Sequence, residues 1–252
     1  MRLGLIGAGN MASALARGIG EPVLVYDVDA AKARALADEL GGEAVGSNAE
    51  LAERADALVL CHKPKQLEEV ASEVDGRAQV VVSILAAITT EQVSAAYPGA
   101  SIYRFIPNMN TEVRRGVLCY VPGPGASDGP EDEILALMGR AGAIIPLADE
   151  PLIEPAMALM SCGPAFMAFV AESFAEAGAA HGLDPDDAMR MVVETMGGTA
   201  DYLARHHYDG PELRARVATP GGVTEKGLIT LEERGLREVC RAAVDTVVEA
   251  TR

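Results

Sequence analysis

The chain has 252 residues, of which 49% are hydrophobic, and a formal net charge of −16 at pH 7. These values indicate a globular protein of one large or two compact domains, and the acidic charge argues against nucleic acid or an anionic membrane as a partner. The four cysteines show no C-x-x-C pair or zinc spacing, and we find neither a signal peptide nor an apolar stretch long enough for a bilayer, so we expect a cytoplasmic protein without a metal site.

The first 150 residues alternate short apolar runs with segments of helical spacing. The expected strands are residues 3–6, 23–26, 57–61, 80–84, 101–105, 117–121 and 143–147. The expected helices are residues 11–19, 30–40, 66–73 and 130–141. Strands that are apolar on both faces and alternate with helices indicate a doubly wound parallel sheet. We therefore expect an α/β domain over residues 1–150.

Residues 151–252 contain no convincing strand and are expected to form an all-α domain. The expected helices are residues 164–180, a helix that begins after Asp184, residues 224–233 and residues 236–250. The first of these is apolar around most of its circumference, with Phe166, Phe169 and Phe174 along it. A domain of this size cannot cover such a helix alone, which favours a homodimer, or a larger oligomer built from dimers, joined through this domain.

A glycine-rich turn, Gly7-Ala8-Gly9-Asn10-Met11-Ala12, lies between the first expected strand and the first expected helix. In this context the pattern G-x-G-x-x-A is the dinucleotide-binding fingerprint of Rossmann-type domains. Asp27, at the end of the second strand, is placed to accept hydrogen bonds from an adenosine ribose. We expect NAD(P)H as the cofactor, with a slight preference for NADH because Asp27 would repel a 2′-phosphate.

A second turn, Thr219-Pro220-Gly221-Gly222-Val223-Thr224, leads into the helix expected at residues 224–233. Proline and two glycines permit a tight loop. The N–H groups at the start of the following helix would form an anion site, suited to a carboxylate or a phosphate. One anion site in each half of the chain suggests a cofactor held by the first domain and a small acid held by the second.

Further motifs follow in order along the chain. They are Lys63-Pro64, Ser83-Ile84-Leu85-Ala86-Ala87-Ile88, Pro107-Asn108, Gly163-Pro164-Ala165-Phe166 and, at residues 217–232, V-A-T-P-G-G-V-T-x-x-G-L-x-x-L-E. Together with the glycine turn, they resemble the GxGNMA, A-V-K-P, S-I-A-A-G-I, M-P-N-T, G-S-G-P-A-Y and V-[ST]-[ST]-P-G-G-x-T-x-x-[AG]-L-x-x-L-[ED] motifs of the pyrroline-5-carboxylate reductase family. The resemblance spans nearly the whole chain, and its most specific part is the stretch at residues 217–232.

The resemblance implies an oxidoreductase of proline biosynthesis, in which hydride passes from NAD(P)H to the C=N carbon of 1-pyrroline-5-carboxylate to form L-proline. It implies Lys63 and Thr224 as the catalytic residues. The residues expected to bind the cofactor are Gly7, Gly9, Asn10, Met11, Ala12, Asp27, Asn48, Lys63, Pro64, Ala86 and Ala87. Those expected to bind the substrate are Glu150, Arg216, Thr219, Gly222, Val223 and Thr224, with the loop at residues 219–224 contributed by a dimer partner. Because a cyclic imine is protonated easily, such an enzyme mainly has to orient its reactants.

Some residues depart from the family pattern, mostly at the substrate end. Met160-Ser161-Cys162 replaces S-G-S, and Asn108-Met109-Asn110 replaces N-T-P. Arg216 is either a second clamp for the substrate acid or a solvated helix end, and His62 is either a proton donor or a packing residue.

These departures leave open a reductase of a related cyclic imine or imino acid, or a non-catalytic NAD(P)-binding regulator. A β-hydroxyacid dehydrogenase is disfavoured because residues 155–180 contain no lysine.

Overall fold

The computed structural model describes residues 1–251, which divide into two compact units. The first unit comprises Met1–Pro164 together with Thr251, and the second comprises Ala165–Ala250. The domain boundary predicted after residue 150 lies inside the first unit, because Ile153 and Met160 are buried in an apolar cluster with residues of the sheet.

The strands of the first unit form one eight-stranded sheet. They are β1 (Leu3–Ile6), β2 (Leu24–Tyr26), β3 (Glu43–Ala44), β4 (Ala57–Leu60), β5 (Val80–Ser83), β6 (Ser101–Pro107), β7 (Gly116–Pro122) and β8 (Gly142–Pro146). Their order across the sheet is β3-β2-β1-β4-β5-β6-β7-β8. The first six strands in this order are all parallel, which is the arrangement of a dinucleotide-binding domain. β3 was not predicted, since two residues show no period.

One pair of strands departs from the parallel sheet that the sequence predicts. β6 and β7 are antiparallel, with Phe105 opposite Tyr120 and their rings stacked at 4.7 Å, whereas β7 and β8 are parallel. The segment between β6 and β7 forms only the short 3-10 turn Met109–Val113. Because this short connection contains no crossover helix, the chain reverses and β7 runs back along β6.

The helices of the first unit lie between these strands. They are α1 (Asn10–Ile19), α2 (Ala30–Leu40), α3 (Asn48–Arg54), α4 (Leu67–Val74), α5 (Thr90–Ala96), α6 (Glu131–Met138) and α7 (Ile153–Met160). Local sequence sets the ends of α2: Asp29 accepts a hydrogen bond from Ala31 N–H at 3.1 Å, and Gly41 ends the helix in a left-handed conformation with φ of 67°. α3 and α5 were not predicted, because segments of 7 residues give a weak periodic signal.

Strand side chains are buried on both faces of the sheet. Leu5, Val25 and Val82 lie in one apolar cluster with residues of α1, α2 and α6. Ile6 and Val81 lie in a second cluster with residues of α3, α4 and α5. The predicted doubly wound arrangement is thus confirmed. Because both faces are covered, the carboxyl ends of the strands are where a ligand can reach the first unit.

The second unit is helical throughout. Its helices are α8 (Gly163–Ala180, whose first two residues belong to the first unit), α9 (Pro185–Arg205), α10 (Gly210–Val217), α11 (Val223–Glu233) and α12 (Leu236–Ala250). α8 leaves most of its large apolar side chains at the surface: Met167, Phe169 and Phe174 are 52%, 69% and 52% exposed. Its buried residues are Ala171 and Ala175. The apolar face of α8 is therefore not covered by the second unit itself.

One segment satisfies the length and composition of a membrane span, contrary to the expectation from the sequence. Residues Glu150–Ala180 reach a mean hydropathy of 1.4. In the structure this segment comprises two helices, since α7 ends at Met160 and α8 begins at Gly163. Ile153 and Met160 of α7 are buried in a cluster with β6 and β7, so part of its apolar character is used in the first unit.

Candidate active site

The chain turns sharply between β1 and α1, at residues 7–9. Gly7 has φ of 110°, and a Cβ there would lie 2.9 Å from the carbonyl oxygen of Cys61, so a larger residue does not fit. At Gly9, in contrast, a Cβ would meet no described atom within 4 Å. No side chain caps the start of α1 within the described residues, so its first N–H groups are free to bind an anion. The turn at residues 7–9 and these N–H groups form a backbone cradle, called the glycine cradle, that fits a pyrophosphate.

Asp27 lies at the end of β2, opposite the glycine turn. Its Oδ2 accepts a hydrogen bond from Ala8 N–H at 2.7 Å, and its Oδ1 accepts one from Asp29 N–H at 2.8 Å. The carboxylate is therefore held between the turn and the start of α2. Lys32 lies beside it, with Nζ 3.9 Å from Asp29 Oδ2. The Asp27 and Asp29 carboxylates offer acceptors to ribose hydroxyls, and the Lys32 ammonium brings a positive charge to the same position.

A cleft of about 340 Å³ opens at the carboxyl ends of β1, β2 and β4. It is lined by Ile6, Gly7, Gly9, Tyr26, Asp27, Val28, Asp29, Lys32, Asn48, Cys61, His62, Lys63, Gln66 and Val70. The structure thus brings together five of the predicted cofactor residues: Gly7, Gly9, Asp27, Asn48 and Lys63. The strand order reverses between β1 and β4, where doubly wound sheets bind their ligands, so this cleft is the candidate cofactor site.

Several lining residues were not predicted as site residues. Tyr26, Val28 and Asp29 adjoin Asp27 in sequence, so the end of β2 already carried a signal for them. Gln66 ends the 3-10 turn ahead of α4, and Val70 lies in α4. No local motif marks them, because the sequence alone does not say which face of that helix meets the cleft. Of the predicted residues outside the lining, Asn10 and Met11 form the first turn of α1, and Ala12 is buried in the core.

The loops after β4 and β5 carry the residues predicted for the nicotinamide side. Lys63 is exposed, and its N–H donates a hydrogen bond to Gln66 Oε1 at 3.3 Å, at the start of the 3-10 turn Pro64–Gln66. Ala86 and Ala87 are exposed on the loop between β5 and α5. Ala87 has φ of 58°, a left-handed conformation that is costly for a residue with a Cβ. The loop after β5 is therefore strained at a predicted cofactor residue.

The end of β4 places Cys61 and His62 in the wall of the cleft. Burial raises the pKa of the Cys61 thiol to about 12, so this thiol stays protonated and is not a nucleophile at neutral pH. Burial also lowers the pKa of His62, an effect partly offset by a hydrogen bond from its Nδ1 to the Lys63 carbonyl at 3.0 Å. Since a carbonyl only accepts, the single proton of the neutral imidazole lies on Nδ1. This arrangement favours the packing role of His62 over the proton donor.

Glu150 lies in the 3-10 turn Glu150–Leu152, just ahead of α7. Its Oε1 accepts a hydrogen bond from Thr90 N–H at 2.8 Å, and its Oε2 accepts one from Thr90 Oγ1 at 3.3 Å. Oε1 also pairs with the Arg104 guanidinium, whose side chain is 5% exposed. Both carboxylate oxygens are thus used inside the first unit. These contacts give Glu150 a structural role, and its approach to the substrate stays a prediction.

In the second unit, the loop predicted as an anion site leads into α11. Gly221 has φ of 76°, and its N–H donates a hydrogen bond to Glu225 Oε2 at 2.7 Å. Gly222 N–H donates to the Thr219 carbonyl at 2.9 Å, and a Cβ at Gly222 would lie 2.6 Å from Thr219 Oγ1. The two glycines therefore allow a loop that a larger residue would disrupt.

The start of α11 leaves backbone donors available. Val223 and Thr224 form the first turn and are exposed, and no side chain within residues 1–251 caps the helix at Gly222. Arg216 lies in the last turn of α10, with its guanidinium 5.9 Å from the centre of the Tyr202 ring. The Arg216 side chain is 60% exposed, so its donors are accessible to an anion.

The strand order, the glycine cradle and Asp27 define a Rossmann-type domain for a nicotinamide dinucleotide, and with the helical second unit they define the class of NAD(P)H-dependent oxidoreductases of two-domain plan. A family model described as pyrroline-5-carboxylate reductase dimerisation matches residues 150–252. A second, described as NADP oxidoreductase, coenzyme F420-dependent, matches residues 2–87. The chain is therefore similar to pyrroline-5-carboxylate reductases over residues 150–252 and to NADP oxidoreductases over residues 2–87.

Individual proteins show the same similarity. The chain is 28% identical to the pyrroline-5-carboxylate reductase of Aquifex aeolicus, over 94% of its own length and 91% of that protein. It is 29% identical to the Escherichia coli enzyme of the same name, over 98% and 96% of the two chains. The structure of a pyrroline-5-carboxylate reductase from Coxiella burnetii matches with a TM-score of 0.89 at 26% identity, covering 99% of this chain and 96% of that one. The similarity therefore includes both units.

Proposed function

We propose that this protein reduces the C=N bond of 1-pyrroline-5-carboxylate with NAD(P)H and so forms L-proline in proline biosynthesis. The observation that carries the proposal is the uncapped, exposed start of α11 in a chain that also contains a dinucleotide cleft. When bound, the reduced nicotinamide supplies the hydride. The protein's own residues hold the two reactants, and orientation alone can lower the barrier substantially for an imine that is protonated easily.

On the cofactor side, the residues are proposed to act in three groups. The glycine turn and the first turn of α1 hold the pyrophosphate through backbone N–H groups. Asp27 and Asn48 hold the adenosine half, because both line the cleft and both offer hydrogen-bond acceptors. The nicotinamide half is assigned to Lys63, Pro64, Ala86 and Ala87. Of these, Lys63 brings a positive charge to the cleft lining and is the proposed catalytic residue of the first unit.

On the substrate side, the first turn of α11 is proposed to bind the carboxylate. The N–H groups of Val223 and Thr224 and the Thr224 hydroxyl are its donors, and the dipole of the helix favours the negative charge. Thr219 and Gly222 shape the loop that presents these donors. Arg216, exposed at the end of α10, is proposed as a second cation for the same acid.

The oligomer is proposed to be a homodimer formed through α8. The exposed Met167, Phe169 and Phe174 need a covering surface, and the family model that matches residues 150–252 describes a dimerisation domain. We expect light scattering to report a dimer or a multiple of it for the wild type, and a smaller species for Phe169→Asp/Phe174→Asp. Val28→Asp is the control, because Val28 is 88% exposed in the first unit. A monomeric wild type would contradict this assembly.

The cellular location and the partners of the protein are proposed from its net charge. A net charge of −16 without basic clusters supports a cytoplasmic enzyme that binds neither nucleic acid nor an anionic membrane surface. Its partners are then its small-molecule substrate, its cofactor and a second copy of the chain.

The reaction is tested with the purified chain, 1-pyrroline-5-carboxylate and either NADH or NADPH. We expect the absorbance of the reduced cofactor to fall while proline appears in equal amount. Thr224→Ala should raise the KM for the imine and leave the Kd for the cofactor unchanged, because Thr224 is assigned to the substrate and not to the cofactor. Cofactor binding without oxidation of NADH or NADPH would sink the reductase assignment and support a non-catalytic regulator.

A related cyclic imino acid is the second candidate substrate. The observation that favours it is the segment Met160-Ser161-Cys162, which replaces the small S-G-S of the family, together with the charged Arg216. Comparing kcat/KM for 1-pyrroline-5-carboxylate and for its six-membered-ring analogue decides between them. A larger kcat/KM for the six-membered ring would replace the proline assignment while keeping the type of reaction.

A further inference from the structure

The side chain of Asn48 is held in one orientation at the wall of the cleft. Asn48 is the first residue of α3, lines the cleft and is only 3% exposed. Its Nδ2 donates a hydrogen bond to Glu73 Oε2 at 2.6 Å. Because a carboxylate only accepts hydrogen bonds, this contact determines which end of the amide is the nitrogen. Oδ1 must then be the opposite end.

The Oδ1 atom of Asn48 is a hydrogen-bond acceptor without a donor. It is buried, and none of the described residues donates a hydrogen bond to it. Buried polar atoms of this kind are paired in nearly all folded proteins. The cleft that Asn48 lines is shared with Asp27, the acid expected at an adenosine ribose. The adenosine half of a dinucleotide brings donors to this region, namely ribose hydroxyls and the exocyclic amine.

We propose that Glu73 is a positioning residue for the cofactor: its carboxylate fixes the Asn48 amide so that Oδ1 accepts a hydrogen bond from the adenosine half of the bound dinucleotide. This inference rests on the proposed use of NAD(P)H. Without Glu73 the amide is free to rotate, since its two ends differ little in shape. In part of the population the Nδ2 of Asn48 then faces a donor of the adenosine half, so no hydrogen bond forms between them and cofactor affinity falls.

Glu73 acts through Asn48 rather than by touching the cofactor. It lies on α4 and is exposed, and it is absent from the described lining of the cleft. Because Glu73 is exposed, its substitution leaves no cavity in the core. Loss of the one hydrogen bond from the buried Asn48 Nδ2 lowers stability modestly, so variants at this position are expected to fold. Glu69, also exposed on α4, provides a matched control, because Glu69→Met removes the same charge from the same helix without a contact to Asn48.

The test measures the Kd of the full-length protein for NADH and for NADPH by titration calorimetry, without any imine present. Glu73→Met removes the acceptor at nearly constant length, and Glu73→Ala is the second variant if the first is unstable. We expect either to raise Kd about three- to tenfold, the effect of one neutral hydrogen bond. Glu73→Gln keeps an oxygen that can accept from Nδ2, so its Kd should stay near the wild-type value, as should that of Glu69→Met.

A double-mutant cycle shows whether Glu73 affects the Kd for the cofactor through Asn48 or by another route. In an Asn48→Ala background, Glu73→Met should cause no further rise in Kd, because the side chain through which it acts is gone. An unchanged Kd in Glu73→Met, an equal loss in Glu73→Gln, or additive effects in the double variant would each overturn the inference while leaving cofactor use intact. Failure of the wild type to bind either dinucleotide would overturn the proposed function as well.

Discussion

Arg104 of β6 and Glu150 form an ion pair inside the first unit, with side-chain exposures of 5% and 23%. The Nε atom of Arg104 is buried and has no acceptor among residues 1–251, so the guanidinium depends on Glu150 for its compensation. Glu150 in turn accepts a hydrogen bond from Thr90 N–H at 2.8 Å, at the start of α5. One carboxylate therefore connects α5, β6 and the segment ahead of α7.

Glu150→Ala should lower the free energy of unfolding by about 3 kcal/mol, because it leaves the Arg104 charge buried without a partner. Urea unfolding followed by circular dichroism measures this change. Glu154→Ala, in the first turn of α7, is the control and should have a much smaller effect. If Glu150→Ala instead keeps its stability and raises only the KM for the imine, the predicted contact of Glu150 with the substrate is supported and its structural role is not.

The two glycines of the first turn should respond differently to substitution. Gly7→Ala places a Cβ 2.9 Å from the Cys61 carbonyl oxygen at φ of 110°, so we expect it to lower stability by about 2–4 kcal/mol. Gly9→Ala meets no described atom within 4 Å and has φ of −74°, which alanine adopts freely. It should fold normally, yet weaken cofactor binding by about tenfold or more, because the second glycine lets the backbone approach the pyrophosphate.

Thermal unfolding and calorimetric titration with NADH and NADPH measure both quantities for each glycine variant. Equal Kd values for the wild type and Gly9→Ala would show that the pyrophosphate does not approach this turn.

Ala87 is strained, and the strain can be relieved. Its φ of 58° costs alanine about 1–2 kcal/mol that glycine does not lose. Part of this gain is offset by the greater freedom of glycine in the unfolded chain, so Ala87→Gly should raise the free energy of unfolding by about 0.5–1 kcal/mol. Ala86→Gly is the matched control: Ala86 has no positive φ, and its substitution should lower stability by a similar amount. A destabilised Ala87→Gly would mean that the methyl group makes packing contacts that outweigh the strain.

Most of the sheet could be predicted from the sequence because its strands are apolar on both faces and bounded by turns. The direction of β7 could not, since no residue in the segment before it specifies that the chain turns back along β6. β3 comprises only Glu43 and Ala44, which is too short for any periodic signal. The exposure of apolar side chains on α8, in contrast, follows directly from its composition, because apolar residues surround most of the helix and it has no broad polar face to turn to the solvent.

Within the candidate site, the local fingerprint was sufficient for Gly7, Gly9 and Asp27. The two glycines matter for backbone geometry and Asp27 for its carboxylate, so their spacing along the chain is enough to predict a dinucleotide site. The partners of Asn48 and Glu150 could not be found in this way. Glu73 and Arg104 lie on other elements of the fold, and the ion pair of Glu150 with Arg104 exists only once β6 and the segment before α7 are adjacent.

The pH dependence of stability should reveal the buried His62. Burial is the main reason that its pKa in the folded protein lies below the ordinary value of 6.5, and the hydrogen bond to the Lys63 carbonyl offsets only part of this effect. As the pH falls below 6.5, the unfolded chain therefore takes up a proton before the folded protein does, and His62 destabilises the fold progressively until its folded pKa is passed. At neutral pH and above, this penalty is absent.

His62→Gln removes the titration while keeping a side chain that can donate to the Lys63 carbonyl. The wild type should accordingly lose more stability than His62→Gln between pH 7.5 and pH 5.5, as measured by urea unfolding at a series of pH values. The informative quantity is the free energy of unfolding of the wild type minus that of the variant at each pH. A difference that grows in favour of the wild type at low pH would mean that the folded protein stabilises the charged imidazole, and would reverse the assignment of His62 as a neutral residue of the cleft wall.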